Sequence, residues 1–222
     1  MYRIAHFLRD RLPFVWDVLD WMNAVLFCLR YGRRMRTVPD ILNEYEVALP
    51  DGGRRHILPI SALAPEQVAS FFSFQPEEAF EYFRPHGFDV RSLRKLQRNR
   101  AFLAYAVMED VQSGNRPASV ADQSTENQGG RIVGYFFLRS FFMGKCYLGK
   151  MVDSQRRGRG IGKQMCLCAM DIASALGLRM FETISKDNLA SLHSSSNVLE
   201  TRIVKEMPDN YLMIEDLKKI LP

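Results

Sequence analysis

The stretch from residue 145 to residue 165 reads KCYLGKMVDSQRRGRGIGKQM, and its reading decides the fold. Residues 145–152 are a short apolar run and read as a strand. Residues 154–165 follow, with three glycines alternating with Arg159 and Ile161 and basic residues crowding both sides. Ile161, Met165, Cys168, Ile172 and Leu176 then recur at three- and four-residue steps, which marks a helix. Gly177 stands where such a helix ends. A strand that feeds a glycine-rich turn opening a helix presents free backbone N–H groups at the positive end of the helix dipole, which is an anion site. Glycine is needed where a phosphate approaches the backbone, because a Cβ would collide with it. Arg156, Arg157, Arg159 and Lys163 add positive charge at the rim.

Outward from this core, residues 179–184 read as another strand. Asp187 or Asn188 caps a helix over NLASLHSSSN. Thr201 to Lys205 and Asn210 to Ile214 read as a last pair of strands around Met207-Pro208-Asp209. On the N-terminal side, residues 101–108 and 131–142 are strongly β in content. Residues 110–130 lack large apolar groups almost entirely and read as a polar, mobile loop tipping a hairpin. Asp89 caps a helix to about Asn99, and residues 73–88 are aromatic and broken by proline. Pro65 opens a short helix through Phe72. Residues 44–60 are a hairpin turning at Asp51-Gly52-Gly53. This order does not alternate strictly, which argues against a fully parallel doubly wound sheet and for a mixed α/β sheet with helices on both faces.

The 222 residues suffice for one domain with a full core and an appendage. The net charge of +5 is unevenly placed. Residues 1–36 hold seven arginines against Asp10, Asp17 and Asp20, so they carry +4, while the remainder has 23 basic and 22 acidic side chains. A basic body that grips nucleic acid is therefore not expected; the basic feature is an arm over residues 1–40, ahead of a domain over 41–222. WMNAVLFCL, residues 21–29, is too short to span a bilayer, which needs about 20 apolar residues. Asp10, Pro13, Asp17 and Asp20 interrupt what a signal peptide would keep unbroken. Ile4, Phe7, Leu8 and Leu12, then Phe14, Val18, Trp21, Val25 and Leu29, fit helical spacing. Such amphipathic helices pack on the domain or form a homodimer. Alternatively they lie on the inner, anionic face of a membrane with Trp16, Trp21 and RYGRRMR as anchors. Cys166-Leu167-Cys168 is too tight for a zinc pair, so Cys28, Cys146, Cys166 and Cys168 read as reduced thiols of a cytoplasmic chain, with no metal site expected.

Two nucleotide motifs fail residue by residue. The ATP-binding loop needs a glycine five positions before Gly162 and Ser or Thr after Lys163; the chain has Arg157 and Gln164. The dinucleotide pattern needs a third glycine where Lys163 stands. What matches is R-x-x-G-x-G, as Arg157-Gly158-Arg159-Gly160-Ile161-Gly162. With its lead-in LGKMVDSQRRGRGIGKQM, the sequence resembles the GNAT superfamily of acyl-CoA-dependent N-acetyltransferases. The order of elements from about 55 to 214 resembles that fold, a mixed, mostly antiparallel central sheet with helices on both faces, over roughly three quarters of the chain.

The resemblance implies a donor and its seat. Acetyl-CoA would place its pyrophosphate on the loop N–H groups of Arg157, Gly158, Arg159, Gly160, Ile161, Gly162 and Lys163. Lys150, Met151 and Val152 would pair with the pantetheine arm like an added strand, and Asn188 would bond the same arm. The family commonly protonates the departing thiolate with a tyrosine about two turns after that asparagine. Here the position is near Ser195, and Ser195, His193 or water is left for the role. The usual carboxylate on the strand before the loop is also missing. Glu182, Asp153 and Glu109 are the other acids to consider, with Glu182 best placed, since its strand borders the cleft in that fold. The backbone N–H of Val152 would stabilise the oxyanion, and Tyr147 and Tyr135 would line the acceptor site. The reading is acetyl transfer to a primary amine of a small molecule, an amino sugar or surface-glycan precursor. The alternatives are a CoA-binding sensor with little or no turnover, or a peptide or protein N-acetyltransferase.

Overall fold

The computed structural model describes residues 13–50, 52–110, 130–207 and 211–220. Among them are helices α1 (Pro13–Tyr31), α2 (Val38–Glu44), α3 (Pro65–Ser73), α4 (Val90–Arg98), α5 (Ile161–Leu176) and α6 (Leu189–Ser196). The strands are β1 (Val47–Ala48), β2 (Arg54–Pro59), β3 (Phe102–Glu109), β4 (Arg131–Phe141), β5 (Lys145–Val152), β6 (Arg179–Ser185), β7 (Leu199–Met207) and β8 (Tyr211–Lys219). They form one sheet in the order β1-β2-β3-β4-β5-β6-β8-β7. Every neighbouring pair is antiparallel except β5 and β6, which α5 connects as a parallel crossover. The mixed, mostly antiparallel sheet expected from the sequence is the one observed.

The decisive stretch folds as its pattern dictates. Ile161, Met165, Cys168, Ile172 and Leu176 are all at most 1% exposed. Gly177 ends α5 at φ 72°, a left-handed cap in which its N–H donates to the Ser174 carbonyl and that of Leu178 to the Ala173 carbonyl. α5 sits so close to the sheet that a Cβ on Gly134 would come within 2.9 Å of Ile161 Cγ2. With α1 and α2 it covers one face. α3 and α4, with the proline-broken aromatic segment, cover the other. Asp89 caps α4 by accepting from Ser92 N–H, and Asn188 rather than Asp187 caps α6 by accepting from Ser191 N–H. The last two strands run longer than the sequence suggests, and Asp51, Pro208 and Asp209 of the expected turns lie outside the described residues. So do residues 111–129, but the strands flanking them, β3 and β4, pair antiparallel as a hairpin requires.

Of the arm, residues 1–12 lie outside the described residues. From Pro13 it is one helix, a 3-10 turn and then α2. Phe27 and Tyr31 point into the core, and burying a ring such as Phe27 contributes about 2–3 kcal/mol. Asn23 accepts from Phe142 N–H and donates to the Ser140 carbonyl, and Arg34 donates to the Leu176 carbonyl. One side of α1 is thus docked on the domain, while Phe14, Trp21 and Leu29 on the other are 77%, 65% and 80% exposed. No described helix is long and apolar enough to cross a membrane. All four cysteines are free, three of them buried.

Candidate active site

β5 and β6 pair only at Lys145–Arg179, Cys146–Met180 and Tyr147–Phe181. Beyond Tyr147 the strands part, and β5 runs on to Val152 with no strand on its β6 side. A cleft of about 1570 Å³ opens from this wedge. Lys150, Met151 and Val152 border it, as do Arg157, Gly158, Gly160, Ile161 and Gly162 of the loop and Asn188 at the start of α6. The structure therefore brings most of the expected donor-binding residues around one space. Arg159 and Lys163 flank the loop but do not border the cleft.

The loop is held from beneath. Gly158 and Gly160 adopt φ of 76° and 75°, a left-handed conformation that costs other residues about 1–2 kcal/mol. A Cβ at either position would meet nothing within 4 Å, so the open space lies where an anion would approach. Gln164 N–H makes the first intrahelical bond, to the Gly160 carbonyl, which leaves the N–H groups of Ile161, Gly162 and Lys163 ahead of it. Two acids considered from the sequence turn out to brace this loop. Glu109 is buried against Arg55, whose Nη1 donates to the Arg159 carbonyl at 3.2 Å, and it also faces Arg156 at 3.4 Å. Asp153 is buried, accepts from Gln155 N–H and pairs with Arg131 at 2.7 Å. Neither borders the cleft, because each is turned into the sheet to neutralise an arginine.

The wedge itself is filled by a compact polar cluster. Lys150 Nζ donates to Glu182 Oε2 at 2.9 Å and to Ser195 Oγ at 2.7 Å, and Ser195 donates to Glu182 Oε1 at 2.8 Å. The strand pleat explains this: Cys146, Leu148, Lys150 and Val152 alternate toward α5 while Met151 points the other way. Burial is the largest single influence on the Lys150 pKa and lowers it, but the charge and hydrogen bond of Glu182, with the neighbouring Cys166 and Asp216, together outweigh it and the net shift is upward. Burial pushes the Cys166 thiol up beside them. Asp216 on β8 completes the cluster. Neither of its oxygens receives a donor from the described chain, and it faces Glu182. Burial first, and the charge of Glu182 second, raise its pKa to about 8, so near pH 7 it holds its proton. Sequence reasoning named Glu182 and Ser195 and gave Lys150 only a backbone role; the contribution of its side chain and of Asp216 depends on strands far apart in the chain. His193 is exposed on α6 and does not border the cleft.

The far end of the cleft is lined by side chains. Phe102 and Phe137 stack with ring centroids 4.8 Å apart, and Phe83 lies 6.2 Å from Phe137. Tyr147 borders this end as expected. Tyr135 does not: its ring is fully buried and its hydroxyl donates to His86 Nε2 at 2.9 Å, with the His86 Nδ1 proton given to the Gly87 carbonyl. Tyr82 and Tyr211, which the sequence did not single out, and Trp16, read there only as a membrane anchor, also border the cleft, and Arg84, Arg139, Glu78 and Glu81 add charge of both signs. Phe137 owes its place to Gly149, where a Cβ would fall 2.3 Å from the ring.

Comparison with known proteins agrees with this geometry. The GNAT domain of S. lividans PAT superposes with a TM-score of 0.57 at 14% identity, covering 78% of this chain and 98% of that one. A domain from Methanocaldococcus jannaschii superposes with a TM-score of 0.55 at 13% identity, covering 74% and 99%. At such identity these show the shared fold. No curated protein matches by sequence. The sequence pattern of the acetyltransferase (GNAT) family matches residues 78–194, slightly more than half of the chain, from the aromatic segment through the glycine loop to the serines of α6. The strand splay, the glycine loop and this match place the chain in the GNAT acetyltransferase family, whose acyl donor is acetyl-CoA.

Proposed function

We propose that this chain moves the acetyl group of acetyl-CoA to a primary amine on a small molecule, an amino sugar or another glycan precursor. The observation that carries the donor half is the wedge between β5 and β6 opening onto two left-handed glycines with free space above them. The residues present fit the donor. Ile161, Gly162 and Lys163 N–H groups and the charge of Arg157 hold the pyrophosphate. The open edge at Lys150, Met151 and Val152 hydrogen-bonds the pantetheine arm. Asn188 spends its Oδ1 on α6 and offers its amide NH2. The acceptor end supports an amino sugar: aromatic rings suit its apolar face, Glu78 and Glu81 its ammonium, and Arg84 and Arg139 a phosphate or carboxylate attached to it.

The acceptor ammonium gives one proton to water before attack; acetyl transfer then requires the attacking nitrogen to lose another and the departing sulfur to gain one. In this reading Glu182 takes the proton of the attacking nitrogen, and Ser195 gives one to the sulfur with Lys150 behind it. The proton gained by Glu182 replaces the one Ser195 gives up, so the cluster returns to its starting state. A second reading, a CoA-binding sensor with little turnover, is favoured by the 1% exposure of Ser195 and by the lack of a tyrosine on α6. A thiol-release screen against amino sugars and their nucleotides, polyamines, amino acids and peptides, run beside calorimetric titration of acetyl-CoA, separates them. Release above the hydrolysis background with an amino sugar supports the first reading. Binding without release across the panel supports the second, and absence of acetyl-CoA binding overturns both.

A further inference from the structure

Nine of the nineteen exposed large hydrophobic side chains in the described chain sit on α1. At about 100° per residue they form one unbroken arc of roughly 160°, from Trp21 through Phe14, Val18 and Leu29 to Leu19. No charged residue falls inside it; Arg30 and Asp17 mark its two borders. The opposite side of the helix, with Phe27 and Tyr31, is the docked one. We infer that this outer face of α1 lies in the interface of an anionic membrane.

Three observations favour a lipid surface over a second copy of the chain. A two-helix seam buries a narrow stripe of a and d positions, and an arc this wide would leave much of its apolar surface still in water. An interfacial helix buries the whole arc at once. The charge around it is also of one sign. Asp17 and Asp20 are paired with Lys95 at 2.6 Å and Arg139 at 3.4 Å, whereas Arg30, Arg33, Arg34 and Arg36 at the C-terminal end are exposed. Basic residues beside an apolar face are each worth about 1 kcal/mol near an anionic leaflet. Finally, Trp21 is an indole standing free at the middle of the helix, the side chain best suited to a boundary between water and hydrocarbon. α1 is about 28 Å long at 1.5 Å per residue and would lie along the surface, not across it.

A consequence follows for the acceptor, and it rests on the acetyl-transfer reading. Trp16, on the docked side of α1, forms part of the wall of the acceptor end of the cleft. A helix lying on the membrane then holds that end close to the lipid surface, so an amine carried on a lipid-linked or amphipathic molecule reaches it without leaving the membrane plane.

The test uses the full chain and needs no activity. Co-sedimentation is measured with vesicles of phosphatidylcholine and with vesicles containing about 30% phosphatidylglycerol, for the wild type and for Trp21→Glu/Leu29→Glu, beside sedimentation velocity without lipid. Both substituted side chains are largely exposed, and unchanged near-ultraviolet circular dichroism confirms the fold. Binding to anionic vesicles, at least tenfold weaker on neutral ones and at least tenfold weaker for the variant, is the expected result. Equal binding to both vesicle types, binding unaffected by the variant, or no binding overturns the inference. A lipid-free dimer that the variant dissociates, without vesicle binding, assigns the face to a second copy instead.

Discussion

At its proposed donor end the cleft is walled by backbone: an unpaired strand edge, two left-handed glycines and the first N–H groups of α5, all within residues 150–163. At its proposed acceptor end it is walled by side chains from α1, the 76–85 segment, β3, β4 and β5, brought together from across the chain. Backbone presents the same groups whatever the residue, so a donor seat of this kind tolerates change and needs only the right spacing of glycine. An acceptor pocket of rings and opposed charges depends on each side chain, and so can be retuned without disturbing the donor. The two ends should therefore fail separately when substituted.

The largest effect should come from the cluster between them. Lys150→Met leaves Glu182 buried without its cation, and removing one partner of a buried pair costs about 3–5 kcal/mol. Denaturant unfolding should show that loss, and Lys150→Met/Glu182→Gln should recover most of it. A single variant as stable as wild type would mean the cluster is not closed in solution. Next, Gly160→Glu puts a carboxylate into the open seat above the loop. Acetyl-CoA affinity should fall at least 100-fold, about 2.8 kcal/mol, in a calorimetric titration, with only about 1–2 kcal/mol of stability lost to the positive φ. Unchanged affinity would remove the loop from the donor site.

Gly149→Ala tests the other end. Its Cβ would overlap the Phe137 ring, so that ring must swing out of the acceptor wall, with an overpacking cost of about 1–3 kcal/mol. The acceptor KM should rise about tenfold while the calorimetric Kd for acetyl-CoA stays within about twofold. If both constants move together, the two ends are one mechanical unit and the contrast drawn above is wrong.

The same contrast explains what could be read in the sequence. Glycine spacing, the stripe from Ile161 to Leu176, the Gly177 stop and the Asp89 cap are local patterns with one structural answer each, and the structure gives that answer. The splay between β5 and β6 could be placed only through the family resemblance, because nothing in Lys145–Val152 itself says where pairing stops. The Lys150 side chain has no acid near it in its own strand; its partner Glu182 lies 32 residues away and Asp216 further still. Trp16, Tyr82 and Tyr211 carry no local signal that separates a cleft wall from any half-exposed ring. The apolar stripe on α1 was visible, but which side faced the domain was decided by Asn23, Phe27 and Tyr31, which meet strands more than a hundred residues away.

The smallest effect concerns the proton at the base of the donor wedge. With a folded pKa raised to about 8, Asp216 binds its proton more tightly in the folded than in the unfolded chain. The stability it contributes is therefore fully present below the unfolded carboxylate pKa and is lost as pH rises toward 8. Each pH unit in that window removes at most about 1.4 kcal/mol, falling to about 1 kcal/mol between pH 7 and pH 8 as the group nears its midpoint. Asp216→Asn keeps the shape without the titration. Its melting temperature should change little from pH 6 to pH 8.5, while that of the wild type should fall by several degrees. Parallel curves for the two proteins would show that Asp216 is already ionised and that Lys150 alone neutralises both acids. Gly149→Ala should leave this pH dependence as it is in the wild type, because its methyl group lies on the opposite face of β5 from Lys150.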